Sequence, residues 1–236
     1  MSPVSRSPQP LGLRALPAVL ALAVAYILAA RLGLLMASLH GAVSPVWPAS
    51  GLAIGALVVG GRRLWPAVLL GAWVANLGGV ISWWGAGCIA VGNVGEAWLG
   101  AWIIERVQRG RAAHALFWEA IGVVGAALVA PLLSAGTGVA TLTLASDLPE
   151  VGLVSVAGTW WIGDAIGTLA LTPLILSCAR MRGASRSAWL RVGLAALAAT
   201  AVALPVFLLP KGGTLLFGVF PVLLWAAWWS GETGVK

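Results

Sequence analysis

One acidic residue stands inside a long apolar run, in the stretch Trp160-Trp161-Ile162-Gly163-Asp164-Ala165-Ile166-Gly167-Thr168. The apolar run extends from Val151 to Cys178, and about 20 apolar residues are enough for a helix to cross a bilayer. Asp164 is therefore expected near mid-membrane, where an ionised carboxylate is costly unless it faces the protein interior. Helical spacing places Trp160, Asp164 and Gly167 on one stripe, and the glycine would let a neighbouring helix come close. The stretch predicts an interior acid whose partner lies on another helix.

The whole chain has the composition of a membrane protein. It has 236 residues, of which 60% are hydrophobic and 9% charged, and its mean hydropathy is +0.98. A soluble domain carries about 25% charged residues. The fold class predicted is all-α, a polytopic bundle of transmembrane helices.

The apolar runs predict about eight membrane spans. These runs cover residues 13–35, 47–61, 64–84, 86–107, 117–144, 151–178, 189–209 and 214–230. The second span is short, and the prolines and glycines around Trp47 to Gly51 predict a broken helix at that point. Pro131 is expected to kink the fifth span.

The arginines predict the topology. Those at or inside one predicted boundary are residues 6, 14, 62, 63, 106, 109, 111, 180, 182, 186 and 191, whereas Arg31 and Lys211 fall at the other. Positive charge collects on the cytoplasmic side, so both termini and a tail of residues 1–12 are expected in the cytoplasm. The net charge of +7 is expected to interact with acidic lipid headgroups of the bilayer, so no nucleic-acid partner is expected.

A set of polar and aromatic side chains is expected between mid-membrane and the outer half. Its members are Arg31, Trp47, Asn76, Asn93, Glu96, Trp160 and Asp164. They predict an outward-facing polar pocket for a small ligand or a membrane partner protein. The alternative is structural, because such groups also tie helices together by hydrogen bonds of roughly 0.6–2 kcal/mol each. Arg31 has two interpretations as well: it reaches the headgroups, or it neutralises Asp164 or Glu96.

Catalytic and metal chemistry is not indicated. The predicted topology puts His40 and His114 on opposite sides of the membrane, as it does Cys88 and Cys178, so neither pair meets. No Ser/His/Asp or Cys/His set falls at one depth, and no metal or other cofactor is expected. Two function classes remain, a sensor and a carrier.

The ordered motifs resemble the MASE1 family, the membrane-associated sensor domain of bacterial signalling proteins. The residues that carry the resemblance are Val46–Gly51, Gly61–Ala67 with Gly71 and Asn76, Gly92-Asn93 with Glu96, Trp160–Gly167 with Thr172-Pro173, and Phe220-Pro221 with Trp225-Ala226-Ala227. The resemblance covers the chain from Leu13 onward. It implies that residues 13–236 form a non-catalytic, multi-pass sensor domain of the bacterial inner membrane. It also implies family signature positions at Trp47, Pro48, Asn76, Asn93, Glu96, Trp160 and Asp164.

In this family the sensor domain usually precedes a histidine kinase, a diguanylate cyclase or a phosphodiesterase domain, as in the proteins of two-component and cyclic-di-GMP signalling. The resemblance therefore implies an output domain, with dimerisation through it. The chain is then either a fragment without that domain or a short stand-alone member. The alternative function is a small-solute or proton-coupled transporter built on the same acids, although no internal repeat relates two halves of the chain.

Overall fold

A computed structural model describes residues 15–35, 44–77, 81–145 and 152–183, together with 185–187, 189–191 and 193–194. The chain divides into two compact units, Met1–Ala179 and Arg180–Lys236. The described part of the chain is helical, without strands. Its α-helices are α1 (Leu16–Leu35), α2 (Pro48–Gly60), α3 (Trp65–Asn76), α4 (Trp83–Gln108), α5 (Ala115–Val129), α6 (Pro131–Ala145) and α7 (Leu153–Arg180).

Four helical segments of the described residues are long and apolar enough to cross a membrane. They are Leu16–Leu35, Trp83–Gln108, Ala115–Leu144 and Leu153–Arg180. These segments agree with the first, fourth, fifth and sixth predicted spans. The count of eight and the cytoplasmic termini stay predictions, because the seventh and eighth spans lie almost wholly outside the described residues.

The second and third predicted spans are short helices. α2 has 13 residues and begins at Pro48, directly after a non-helical segment, which agrees with the predicted break near Trp47. α3 has 12 residues and ends at Asn76, so its predicted continuation as far as Trp84 is wrong. Leu77 has extended backbone angles, and a Gly-Gly pair follows it in the sequence. The hydropathy of the sequence does not reveal where α3 ends, because glycine is not polar enough to interrupt an apolar run.

Pro131 divides the fifth predicted span into α5 and α6. Pro131 has no amide hydrogen to donate, and Ala130 between the two helices keeps helical backbone angles. Pro131 therefore marks the change from one helix to the next within a single apolar segment, and the kink at this proline stays a prediction.

α4 lies at the centre of the bundle. It packs against α2, α3, α5 and α6, while α1 packs against α2 and α3. The core between these helices consists largely of alanine with a few larger side chains such as Ile54, Leu57 and Ile104. Small side chains let helices approach closely, which is how helices associate where no water drives them together. Leucines on α1, such as Leu28, are exposed, as expected of a lipid-facing surface.

α7 contacts the broken segment before α2 through its backbone. The amide of Trp47 donates a hydrogen bond of 3.0 Å to the carbonyl oxygen of Gly163. A Cβ atom on Gly163 would collide with the carbonyl oxygen of Ser44, and one on Gly167 would collide with that of Trp47. Likewise, a Cβ atom on Gly51 would collide with the backbone of Gly167. The glycine pairs of α2 and α7 therefore act in helix packing, which brings these two helices together at the depth of Asp164.

This close contact predicts the effect of adding one methyl group. Gly167→Ala should lower the free energy of unfolding by about 1–3 kcal/mol, because the added Cβ meets rigid backbone. Unfolding of the purified protein in detergent, followed by heating or by titration with a denaturing detergent, measures the change. Gly158→Ala on the same helix is the control, since its Cβ would meet no atom within 4 Å. Equal stability of the two variants would contradict the packing described here.

Candidate functional site

The carboxyl group of Asp164 joins three helices. Asp164 is fully buried in α7. Its Oδ1 accepts a hydrogen bond of 2.9 Å from the hydroxyl group of Ser50 in α2. Its Oδ2 accepts one of 2.5 Å from the hydroxyl group of Ser134 in α6. Both serines are buried, so these bonds form in the protein interior, where the low dielectric strengthens them.

Each of the two serines that bond to Asp164 follows a proline, by two residues in α2 and by three in α6. Pro48 starts α2 and fixes its first turn, so that Ser50 lies in that turn next to Gly51, where a Cβ atom would meet the backbone of Gly167. Ser134 lies three residues after Pro131, and its hydroxyl group is also 3.1 Å from the carbonyl oxygen of that proline. Each serine therefore belongs to the first turn of a helix that begins with proline.

Glu96 is the second buried acid of this site. Only 1% of Glu96 is exposed, yet neither carboxyl oxygen makes a hydrogen bond in the described part of the chain. Its carboxyl group is nevertheless close enough to that of Asp164 for the two acids to share a proton, and Ser50 and Ser134 also lie within its reach. The two acids of α4 and α7 thus share one polar cluster. An unpartnered buried polar atom is uncommon and calls for a specific explanation.

Tyr26 and Asn93 extend the cluster to α1. The hydroxyl group of Tyr26 donates a hydrogen bond of 3.1 Å to Oδ1 of Asn93. The amide nitrogen of Asn93 donates one of 2.8 Å to the carbonyl oxygen of Ile89, one turn earlier in α4. Tyr26 is 1% exposed and is close enough to Glu96 and Asp164 to interact with both electrostatically. The cluster therefore involves α1, α2, α4, α6 and α7.

A small cavity adjoins this cluster. It has about 20 Å³ of space for the centre of a water molecule, which is enough for roughly one water. Its walls are formed by Ser44, Trp47, Asn76, Ile89, Asn93, Trp160 and Asp164. Five of the seven site residues predicted from sequence thus line one cavity. The aromatic ring of Trp160 also packs against Gly138 of α6, where a Cβ atom would collide with it.

The other two predicted residues lie apart from this cavity. Glu96 lies in the cluster behind Asp164 and does not line the cavity. Arg31 is exposed, and its guanidinium group is 3.4 Å from the carbonyl oxygen of Leu77. Arg62 forms an ion pair with Glu105 at 3.2 Å, whereas among the described residues no ion pair joins Arg31 to either buried acid. The placement of Arg31 favours the interpretation that it reaches the headgroups.

Sequence reasoning missed Tyr26, Ser50 and Ser134. Tyr26 is the single tyrosine of the chain and lies in an apolar span, which is a signal that a polar group faces inward. Ser50 belongs to the Trp-Pro-Ala-Ser-Gly motif, whose depth beside Asp164 was predicted. Ser134 has no comparable signal, because the hydroxyl side chains of α6 look alike in sequence.

The family model named MASE1 matches residues 18–235, which is nearly the whole chain. A search of curated proteins gives no significant match. A search of solved structures gives none either.

The two serine hydrogen bonds predict a loss of stability. Ser134→Ala should lower the free energy of unfolding by about 1–2 kcal/mol, because it leaves a buried carboxyl oxygen without its donor. Thr143→Ala is the control on the same helix, since its exposed hydroxyl group bonds to the carbonyl oxygen of Val139 in α6 itself. Unfolding in detergent measures both. The bond would be refuted if the loss caused by Ser134→Ala were the same in an Asp164→Ala background, where no side-chain acceptor for the hydroxyl group is left.

The position of Arg31 predicts an additive result. The losses caused by Arg31→Ala and Asp164→Asn should sum in the double variant to within about 0.5 kcal/mol, because the two groups do not touch. The same unfolding measurement forms the double-mutant cycle. A coupling well above that value would show that the arginine neutralises the acid.

Proposed function

Because the chain belongs to the MASE1 family of membrane-associated sensor domains, we propose that it is the sensory input domain of a bacterial signal-transduction protein. The domain itself is not an enzyme. In this proposal it lies in the inner membrane and crosses it several times. The polar site around Asp164 receives a small ligand or a membrane partner and regulates a cytoplasmic output domain, through which the protein dimerises.

The observation that carries the proposal is the single carboxyl group shared by three helices. Asp164 of α7 accepts hydrogen bonds from Ser50 of α2 and Ser134 of α6. Any change in the charge or partners of this carboxyl group alters two interhelical bonds at once. A ligand that favours one arrangement of these bonds shifts the population of helix arrangements toward it.

α7 supports the transmission of such a change over distance. From Asp164 to Arg180 the helix runs 16 residues, or about 24 Å at 1.5 Å per residue. Arg180 begins the positively charged segment that the topology assigns to the cytoplasm. A rotation or shift of α7 at the depth of Asp164 would therefore reach the cytoplasmic side after passing Pro173, where the helix lacks one backbone hydrogen bond.

The size of the cavity supports a coupling between binding and movement. The space beside Asp164 takes about one water molecule, so a larger ligand needs the walls to separate. Two of those walls are the side chains of Trp47, before α2, and Trp160, in α7. Displacing either tryptophan would change the contact between α2 and α7, where glycines let the two backbones lie close together.

A fusion protein tests this proposal. The chain is joined through its C-terminus to a diguanylate cyclase domain and expressed in bacteria without other such cyclases, and cellular cyclic-di-GMP is measured. Asp164→Asn should change the basal output by about fivefold or more, the lower range of typical allosteric coupling. Thr143→Ala is the control and should leave the output as in the parent protein.

Two results would count against the sensory function. One is an Asp164→Asn variant that inserts and folds normally and yet keeps the parent output over the range of added solutes tested. The other is solute or proton flux into liposomes that contain the chain alone, with loss of the flux in Asp164→Asn, which would favour a carrier.

A further inference from the structure

Glu96 of α4 and Asp164 of α7 form a pair of buried carboxyl groups without a basic partner. Glu96 is 1% exposed, and Asp164 is fully buried. Among the described residues, no lysine, arginine or histidine forms an ion pair with either acid. Two neighbouring carboxylates in an interior of low dielectric repel each other and lack the water that would solvate them. A proton on one of the two groups removes this repulsion.

The hydroxyl groups around the pair donate to Asp164. Its Oδ1 accepts a hydrogen bond from Ser50, and its Oδ2 accepts one from Ser134. A serine hydroxyl group has a single hydrogen, so neither serine has a second one to give to Glu96. In the described part of the chain, no side chain or backbone amide donates a hydrogen bond to either carboxyl oxygen of Glu96. Glu96 therefore lacks a donor while it lies beside another carboxyl group.

A proton on Glu96 satisfies both acids at once. Two carboxylates are acceptors only, whereas a protonated carboxyl group has an O–H that it can donate. The carboxyl group of Asp164 is within hydrogen-bond reach of Glu96, and such a bond to a carboxylate is short and strong. The two serines favour this assignment of the proton, because their bonds stabilise Asp164 as the carboxylate.

The cavity beside Asp164 gives the pair room for a water molecule. Asp164 forms part of the cavity wall, whereas Glu96 lies behind it. Two other polar parts of the wall are Ser44, which precedes α2, and Asn76, which ends α3. Both lie at the ends of these helices that are opposite the α2–α3 corner with its two arginines. A proton carried by water from that side reaches Asp164 first and passes from it to Glu96.

We propose that Glu96 and Asp164 form one proton-binding site, in which the shared proton links α4 to α7. Loss of the proton leaves two carboxylates facing each other and weakens the packing of α4 against α7 at the depth where Asp164 also bonds to α2 and α6. In naming a proton as the ligand of the sensory site, this inference rests on the proposed function, whereas proton binding itself is measurable without any output domain.

Apart from Tyr26, the titratable groups of the neighbouring helices lie away from the pair. Tyr26 of α1 is within electrostatic range of both acids. Arg31 of the same helix lies at the end of α3 instead, and α2, α3 and α6 carry no titratable side chain. Glu119 of α5 accepts a hydrogen bond from Gln108, at the C-terminal end of α4. A change of stability with pH that depends on Glu96 therefore reports on the pair.

Unfolding of the purified chain in detergent as a function of pH tests the proton site. The unfolded chain loses its carboxyl protons at about pH 4, whereas a buried carboxyl group can keep its proton up to about pH 9. Unfolding between these values releases the shared proton, so the stability that the proton contributes is complete at low pH and is lost as the pH rises. Relative to a chain without the pair, the unfolding equilibrium constant should rise by up to about tenfold per pH unit.

Glu96→Gln is the informative variant, because its amide group has the shape of the protonated acid and an N–H to donate to Asp164. This variant should fold, and its stability should depend on pH with one proton fewer than that of the parent protein. Glu105→Gln is the matched control on the same helix, since Glu105 pairs with Arg62 outside the cluster. It should keep the pH dependence of the parent.

Infrared difference spectroscopy detects the proton in the folded chain without any unfolding step. A neutral carboxyl group has a C=O stretching band that a carboxylate lacks. The parent protein should show the band of one buried neutral carboxyl group at neutral pH and lose it as the pH is raised. Glu96→Gln should lack this band, and Glu105→Gln should keep it.

Two results would overturn the proton site. One is the absence of the neutral carboxyl band from the folded parent protein at neutral pH. The other is a band, or a pH dependence of stability, that is the same in Glu96→Gln as in the parent.

The cyclase fusion separates this inference from the proposed function. Its cyclic-di-GMP output is measured while the pH outside the cells is varied, and the output should follow the pH in the parent but not in Glu96→Gln. A constant output from a protein whose pair binds and loses its proton would refute the proton as the signal. A pair that holds no proton would refute the site itself, while Asp164→Asn would still test the sensory function.

Discussion

A carboxyl group inside an apolar bundle must find hydrogen-bond donors in the protein, because the membrane interior supplies none. Asp164 finds two, the hydroxyl groups of Ser50 and Ser134, and each comes from a different helix. Three helices are therefore held at one point by one side chain. The rest of the described bundle surrounds that point, with α4 packing at its centre and supplying the second acid, Glu96.

Short hydrogen bonds between helices require backbones that lie close together. Glycine meets that requirement where α2 and the segment before it touch α7, at Gly51, Gly163 and Gly167. A Cβ atom at any of the three would hold the helices apart and lengthen the bond from Ser50 to Asp164. The acid and the glycines thus depend on each other, which explains why Gly163 and Gly167 occur with Asp164 in one nine-residue stretch.

Much of this arrangement follows from local signals in the sequence. The apolar run around Asp164 forms a 28-residue helix. The break predicted at Trp47 lies directly before Pro48, and Pro131 divides the fifth predicted span. Hydropathy and proline act within a few residues, so they can be interpreted without knowing the fold. The interior position of Asp164 follows in the same way from the cost of exposing it to lipid.

The partners of the acid could not be predicted in this way. Hydroxyl side chains in membrane helices commonly bond to a carbonyl oxygen of their own helix, as Thr137, Thr141 and Thr143 do in α6. Ser134, among the same residues, bonds across to α7, and only the rotation of α6 in the bundle decides which one does so. The same limit applies to Arg31. The position of Arg31 in the apolar run predicts its depth in the membrane but not the direction in which its side chain points.

The position of the Asp164 carboxyl group is the central claim, and an experimental density map of the protein in a lipid nanodisc tests it most directly. The account predicts that the hydroxyl oxygens of Ser50 and Ser134 both lie within about 3 Å of that carboxyl group, the distance of an O–H···O hydrogen bond. A carboxyl group that faces lipid, or that contacts neither serine, would contradict it.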